Sequence, residues 1–506
     1  MIYGETLQSK TGQDIPLFVS GRPVHSKYNP LGEKLSITQD FTGCLLVAGL
    51  GGGFHIASIL ENKNILKLII IEADKESLDF SCRFENSKKV LSDSRSIACT
   101  IDELDEVLRR EYVPSLHKNL TLAYLRSWQN ENPELAKKIE VQLSESIKKI
   151  SADFSVQAHF GKLWHRNILT NLKFISKTEH VNDIFPDLKG KTKAAIIAAG
   201  PTLDMNITRL KEDKDAYIVA TDTACGTLLS YGITPDAVVS VDAQHVSMEH
   251  FYCIQKENIH FVFDLASNPE AVEHVHQKGN SISFIRSAHP LSALVSNELN
   301  IPYAETGSGT VTIAAADWAR QNGFNTLEFY GADFAYSEGK PYCRGTYLEK
   351  KYSSTSGRMT TVENMYTSLM FRTELKKVTK GLLGTLGKAP VTNSVLESYG
   401  TTLLEWASSK GYVQQDNIFV CNSACQRKKD SKTTKTFDYK NFFDGYISCL
   451  KEFEKTTASM SPLEIAGKIT DDPMLISLLP LCAAFRSETL AQDISLALHF
   501  LLYYNL

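Results

Sequence analysis

Three aspartates, Asp222, Asp242 and Asp333, stand at or just beyond the ends of short apolar runs, Ala216 to Ala220, Ala237 to Val241 and Thr326 to Tyr330. A carboxylate in such a place can take a proton from an attacking hydroxyl or hold a cation. Each aspartate alone is equally well read as a helix cap or turn residue. Three of them at three strand ends point instead to a ligand site, because open parallel sheets bind their ligands outside the carboxyl ends of the strands. Gly200-Pro201-Thr202 ends a further apolar run, Lys193 to Ala199. Glycine permits the tight turn, proline fixes φ, and the threonine hydroxyl with free backbone N–H groups at a helix start makes a phosphate nest. The loop Gly307-Ser308-Gly309-Thr310 offers small residues and hydroxyls before another helix. Tyr336 and Tyr342 follow Asp333 closely, and Lys340 and Arg344 flank Tyr342 with positive charge that suits a phosphate or a solvated loop equally well. His245, three residues after Asp242, is an alternative base or metal ligand.

Two strand-and-helix units must position these residues. Cys44-Leu-Leu-Val-Ala48 reads as a buried strand, followed by Gly49-Leu-Gly-Gly-Gly53 and a helix-like Phe54 to Glu61. A second strand, Leu68 to Ile71, ends at Glu72 and Asp74. That order of strand, Gly-rich turn, helix, strand and acid suits a dinucleotide or adenosine ligand, and equally a turn that only packs helix on strand. Residues 1–130 are expected to form this N-terminal Rossmann-like domain and 131–185 a helical connector, with apolar positions at helical spacing such as Leu135, Ile139, Leu143 and Ile150. From 186 to 425, strands and helices alternate as a doubly wound, mostly parallel nucleotide-sugar-binding domain. Gly345 to Gly357 reads as a mobile loop, Thr361 to Thr379 and Ser394 to Ser409 as helices, and Gln426 to Lys435 as a charged linker. Residues 426–506 complete the chain as a C-terminal helical domain. The fold class is therefore α/β, with two Rossmann-like parallel-sheet domains and a C-terminal helical region.

With 506 residues, 43% hydrophobic and 22% charged, the chain exceeds one core and has the composition of a globular protein. A formal net charge of −4 argues against nucleic acid as a partner. No signal-like start and no bilayer-length apolar run is read, so a cytoplasmic protein with no membrane partner is expected. The ten cysteines are scattered apart from Cys421 and Cys425, and no metal-ligand set is expected.

Ala198-Ala-Gly-Pro-Thr-Leu-Asp204, Gly232-Ile-Thr-Pro-Asp-Ala-Val-Val-Ser-Val-Asp242, Gly307-Ser-Gly-Thr310 and Gly331-Ala-Asp-Phe334 together resemble the motility-associated factor (Maf) family of flagellin glycosyltransferases. The core is also similar to sialyltransferases of glycosyltransferase family 42 and to archaeal hydroxymethylpterin pyrophosphokinases. The resemblance implies transfer of a nonulosonic acid from a CMP-activated donor to Ser or Thr of flagellin, without a tightly bound cofactor. It implies that Gly200, Pro201 and Thr202 meet the CMP phosphate, that Gly307, Ser308 and Gly309 face the nucleoside, and that Thr223, Thr310 and Gly331 also belong to the nucleotide-sugar site. Asp222 falls where the sialyltransferases place an Asn that contacts CMP, and its charge invites a bridging Mg²⁺. Those enzymes use a His well after the Asp-Phe element, but beyond His289 this chain has only His499. The catalytic candidates are therefore Asp242 and Asp333 as base and Tyr342 as phosphate stabiliser. Three other readings stay open: a pterin pyrophosphokinase using ATP and Mg²⁺, a methyltransferase acting through Gly49 to Gly53 and Glu72, and a non-catalytic flagellin-binding factor.

Overall fold

The computed structural model describes residues 1–504 apart from 36, 39–40, 179–186, 308, 424 and 426–436. Ser308 and the linker Gln426 to Lys435 lie outside the described residues.

 The chain divides into two compact units: Met1–Lys162 with Phe442–Leu506, and Leu163–Asn441. The C-terminal helices thus group with the N-terminal residues. The fold is α/β, with a four-stranded and an eight-stranded sheet and C-terminal helices. Among the described residues, no helix is long and apolar enough to cross a membrane.

In the first unit a hairpin of Tyr3–Gln8 (β1) and Asp14–Phe18 (β2) precedes Gly43–Ala48 (β3), Ile65–Glu72 (β4), Ser96–Thr100 (β5) and Asn119–Tyr124 (β6). The sheet order is β5-β4-β3-β6, all parallel. Every residue of β3 is buried, as expected of a strand covered on both faces. The helix after the Gly-rich turn is short, Phe54–Ala57. The C-terminal helices of this unit close over it, with Lys118 paired to the fully buried Asp493 and Tyr446 hydrogen-bonded to Ser477 at 2.7 Å.

The second unit carries Lys193–Ile197 (β7), Ala216–Thr221 (β8), Ala237–Ser240 (β9), His260–Asp264 (β10), Ser281–Ile285 (β11) and Thr326–Tyr330 (β12). Two short strands, Lys376–Lys377 (β13) and Val391–Thr392 (β14), pair with each other, and Tyr412–Gln415 (β15) and Ile418–Cys421 (β16) complete the large sheet. Its order is β11-β10-β9-β8-β7-β12-β16-β15. The first six strands are parallel, and the two at the β12 edge are antiparallel. Small residues let the central layers approach closely: Ala194 and Ile196 of β7 share one core with Ala314, Ala315, Ala316 and Ala319 of helix Val311–Gln321.

Two local expectations are corrected. Residues 345–357, read as a mobile loop, contain the helix Tyr347–Thr355. The helix expected over Thr361 to Thr379 covers only Val362–Met370, and β13 follows it. Helix Ser394–Ser409 has the bounds read from its periodicity.

Candidate functional site

In the large sheet β8 to β11 extend to one side of β7 and β12 lies on the other, so the topological switch point falls between β7 and β12. The turn after β7 and the segment after β12 meet there. Gly200 N–H donates to Gly331 O at 2.7 Å, and a Cβ on Gly200 would lie 2.4 Å from that oxygen and 2.7 Å from the Asp333 carboxylate. Gly331 has φ +64°, and a Cβ there would stand 2.3 Å from Ala198 O. Both positions therefore require glycine.

Asp333 is engaged by the turn itself. Its Oδ2 accepts the Thr202 N–H at 2.8 Å, and its Oδ1 accepts the Thr202 hydroxyl. Burial pushes the carboxyl up to about 6, against the lowering by the Thr202 hydrogen bonds. The Thr202 donors expected to face a phosphate are thus held by Asp333, which acts in this arrangement as the clasp of the turn. The folded carboxyl keeps its proton up to about pH 6, whereas the ordinary value is 3.8. Its contribution to stability is therefore complete below about pH 3.8 and is lost as pH rises through about 6. A gap of that size is worth about 3 kcal/mol. Asp333→Asn, which keeps one acceptor for the Thr202 N–H, is expected to flatten this pH dependence; urea midpoints compared between pH 4 and 7 measure it, and an unchanged slope would contradict the assignment.

Asp222 begins the helix Asp222–Ser230 and is buried. Its Oδ1 accepts the Thr223 N–H at 2.7 Å and the Thr223 hydroxyl at 3.1 Å, and its Oδ2 accepts the Ser240 hydroxyl at 2.7 Å. Asp242 is half-buried, with Oδ1 accepting the Gln244 N–H at 2.8 Å. Burial raises its pKa first, the Gln244 N–H opposes this, and Asp222 adds to the rise while His250 lowers it. Tyr342 exposes 37% of its surface, yet desolvation in the cleft, followed by Tyr347, Tyr336, Asp222 and Tyr399, pushes its phenol up to about 12. Cys343 N–H donates to Ala199 O at 2.9 Å and so ties the Tyr342 segment to the chain entering Gly200. The Gly307 to Thr310 loop joins through Gly309, at φ +77°, where a Cβ would lie 2.7 Å from the Tyr399 ring. Thr310 caps helix Val311–Gln321, accepting the Thr312 N–H at 3.3 Å. Gly200 to Thr202 and Asp333 are thus brought together by direct hydrogen bonds, the Tyr342 segment is tied in beside them, and Asp222 lies within electrostatic reach of Tyr342.

Three cavities border it, the first, of about 330 Å³, against Thr202, Gly331 and Asp333. A second, of about 280 Å³, is bordered by Pro201, Thr202, Asp204, Tyr231, Lys340 and Arg344, which places both cations expected to neutralise phosphate beside the turn. The third, about 530 Å³, is bordered by Thr223, His245, His250, Tyr347 and Lys350.

Three features escaped the sequence reading. Asp264 ends β10 as Asp222 and Asp242 follow their strands; it is buried, and desolvation pushes it up to about 6. The signal is the same, an acid directly after the apolar run Ile259 to Phe263. His250 borders the same cavity as the exposed His245, which pairs with Glu270 at 3.0 Å; the His250 ring lies 4.5 Å from that of Tyr347, and its charge reaches Asp242. The third lies in helix Pro133–Lys177. Asn167 donates to Ala243 O at 2.9 Å and Ala266 O at 3.1 Å, and Asn171 to Leu265 O and Ser267 O, both at 2.9 Å. One turn apart on the helix, these buried amides hold the loops after β9 and β10 in place.

The first unit has a Gly-rich turn of its own. Glu72 is fully buried and accepts the Tyr3 hydroxyl at 2.8 Å and the N–H groups of Leu50 at 2.7 Å, Gly51 at 3.2 Å and Ala73 at 3.2 Å. The Tyr3 hydroxyl thus takes the acceptor that the ribose of a dinucleotide would use.

Residues 166–339 match the model of the 6-hydroxymethylpterin diphosphokinase MptE-like family. Along 100% of this chain and 86% of the other, the structure matches the MAf glycosyltransferase from Magnetospirillum magneticum AMB-1, with a TM-score of 0.57 at 13% identity. The chain has a Maf-like glycosyltransferase fold. Two uncharacterized proteins of Treponema pallidum (strain Nichols) are also similar. One is 38% identical over 142 residues, 28% of this chain and 66% of its own length. The other is 36% identical over 152 residues, 30% of this chain and 52% of its own length. The chain thus spans between about half and two thirds of those relatives. The MptE-like match covers the switch point with its Gly200 turn, Asp222, Asp242 and Asp333.

Proposed function

We propose that this chain is a cytoplasmic glycosyltransferase that moves a nonulosonic acid from its CMP-activated form to Ser or Thr hydroxyls of flagellin, with no tightly bound cofactor. The observation that carries the reading is the switch point itself: within a Maf-like fold, the Gly200 turn, the Asp333 clasp and Tyr342 converge where a nucleotide phosphate would dock. In the transfer, the bond between the sugar's anomeric carbon and the CMP phosphate oxygen breaks, and the acceptor hydroxyl oxygen bonds to that carbon. Its proton passes to a base. Asp242 suits this role because burial makes its carboxylate more basic, and His250 stands beside it. The departing phosphate gains negative charge, which the Tyr342 hydroxyl stabilises as a donor and Lys340 and Arg344 offset. Both oxygens of Asp222 already accept hydrogen bonds, so it serves to orient Thr223 and Ser240, and a bridging Mg²⁺ there is the weaker alternative.

The MptE-like match favours a second reading, pyrophosphoryl transfer from ATP and Mg²⁺ to a pterin. Calorimetric titration with CMP and with Mg-ATP separates the two. CMP binding together with transfer from a CMP-nonulosonate to flagellin supports the first reading, and Tyr342→Phe is then expected to lower kcat by about 10²-fold while KM changes little. Binding of Mg-ATP without CMP would replace it by the second.

A further inference from the structure

The sheet of the first unit has its own switch point, between β3 and β6, and a cavity of about 690 Å³ opens there. His25, Glu33, His55, Tyr124 and Arg126 are among its walls. The protonation of both imidazoles follows from their partners. His25 Nε2 accepts the Gly52 N–H at 2.8 Å, so the proton is on Nδ1, which donates to Glu33 Oε2 at 2.5 Å. Glu33 Oε1 accepts the Ser26 N–H at 2.6 Å. His55 Nε2 lies 3.0 Å from Gly49 O, an acceptor only, so it carries the proton. His55 Nδ1 is then a bare lone pair on a side chain 1% exposed, with no hydrogen-bond partner among the described residues.

An unfilled acceptor at that depth is costly, about 1–3 kcal/mol, unless something occupies it. Burial and the nearby His25 keep this imidazole well below its ordinary range, so no proton fills the position near neutral pH. The ligand atoms of His25, Glu33 and His55 lie within 4.8 Å of one another. With both His25 nitrogens committed, the donors left for an ion are the His55 lone pair and the Glu33 carboxylate. We propose that these two groups bind a divalent transition-metal ion of the zinc or cobalt type at this switch point, with water from the cavity completing its coordination. The surrounding bonds have the form such a site needs: the second His55 nitrogen is anchored on a backbone carbonyl, and the carboxylate is held by His25 and Ser26. Two ligands on one tetrahedral ion at about 2.0–2.2 Å stand roughly 3.4 Å apart, so the His55 and Glu33 atoms, within 4.8 Å in the empty site, draw together on binding.

The test uses the full chain without an affinity tag, stripped with a chelator and titrated with Co²⁺. One equivalent is expected to bind with visible d–d absorption, and Glu33→Gln and His55→Gln are each expected to weaken it by at least about 10-fold. Absence of a stoichiometric Co²⁺ complex in the wild type overturns the proposal. So does undiminished binding in Glu33→Gln, the decisive variant should His55→Gln fail to fold, because the Glu33 side chain is 24% exposed and its replacement leaves the core intact.

Discussion

Glu72→Ala is expected to destabilise the first unit by about 3–5 kcal/mol, because several buried donors lose their acceptor at about 1–3 kcal/mol each. The change leaves the buried Tyr3 hydroxyl, the buried N–H groups of Leu50 and Gly51 and the part-buried N–H of Ala73 without their acceptor. Trp128, itself buried, reports on this event locally: a Cβ on Gly49 would lie 2.6 Å from its ring, so the indole packs on the Gly-rich turn. The result also decides the methyltransferase reading. A stable Glu72→Ala protein that has lost binding of S-adenosylmethionine would favour it; an early loss of Trp128 fluorescence contrast in urea, with no such binding in the wild type, assigns Glu72 to architecture.

Gly200→Ala is expected to cost the second unit about 3 kcal/mol, the upper part of the range for overpacking, and to remove CMP binding altogether. The added methyl meets Gly331 O and the Asp333 carboxylate at once, and neither is the free end of a flexible side chain. Relief requires β7 and β12 to part at the switch point, which carries the Thr202 clasp with them. Gly226→Ala is the matched control: its Cβ would meet only Cys253 Sγ at 3.4 Å and Gly345 O at 3.5 Å, ordinary contacts within a helix. Equal stability and equal CMP affinity for Gly200→Ala and wild type would remove the turn from the site.

Buried parallel strands were legible because their covered faces demand unbroken apolar runs, as in Lys193–Ile197 and Ile65–Glu72. The Gly-Pro-Thr turn was legible because glycine and proline have few other uses there, and the aspartates because three of them, each a possible cap alone, fall together at strand ends. What the spacing did not carry was partnership. Nothing in the sequence says that Asp333 spends both oxygens on Thr202, or that Glu72 is sealed by a tyrosine from the hairpin. The helix Tyr347–Thr355 was hidden by its serines and threonine, which ordinarily favour turns. Here their hydroxyls fold back onto the helix, Ser354 and Thr355 donating to Lys351 O at 2.8 and 2.9 Å, while Leu348 anchors the other face. His250 escaped because it lies in a short 3-10 segment, His245–His250, whose aim follows from the loop and not from any periodicity.

The division of the chain fixes an order of events during synthesis. Leu163–Asn441 is continuous, so the second unit can close its core as soon as it leaves the ribosome. The first unit must wait for Phe442–Leu506, which bring Asp493 to Lys118. At about 5–20 residues per second, the wait is roughly 15–60 s. Throughout it, the surface that the C-terminal helices later cover is open to solvent and to chaperones, and the part of the protein made first is the last to finish folding.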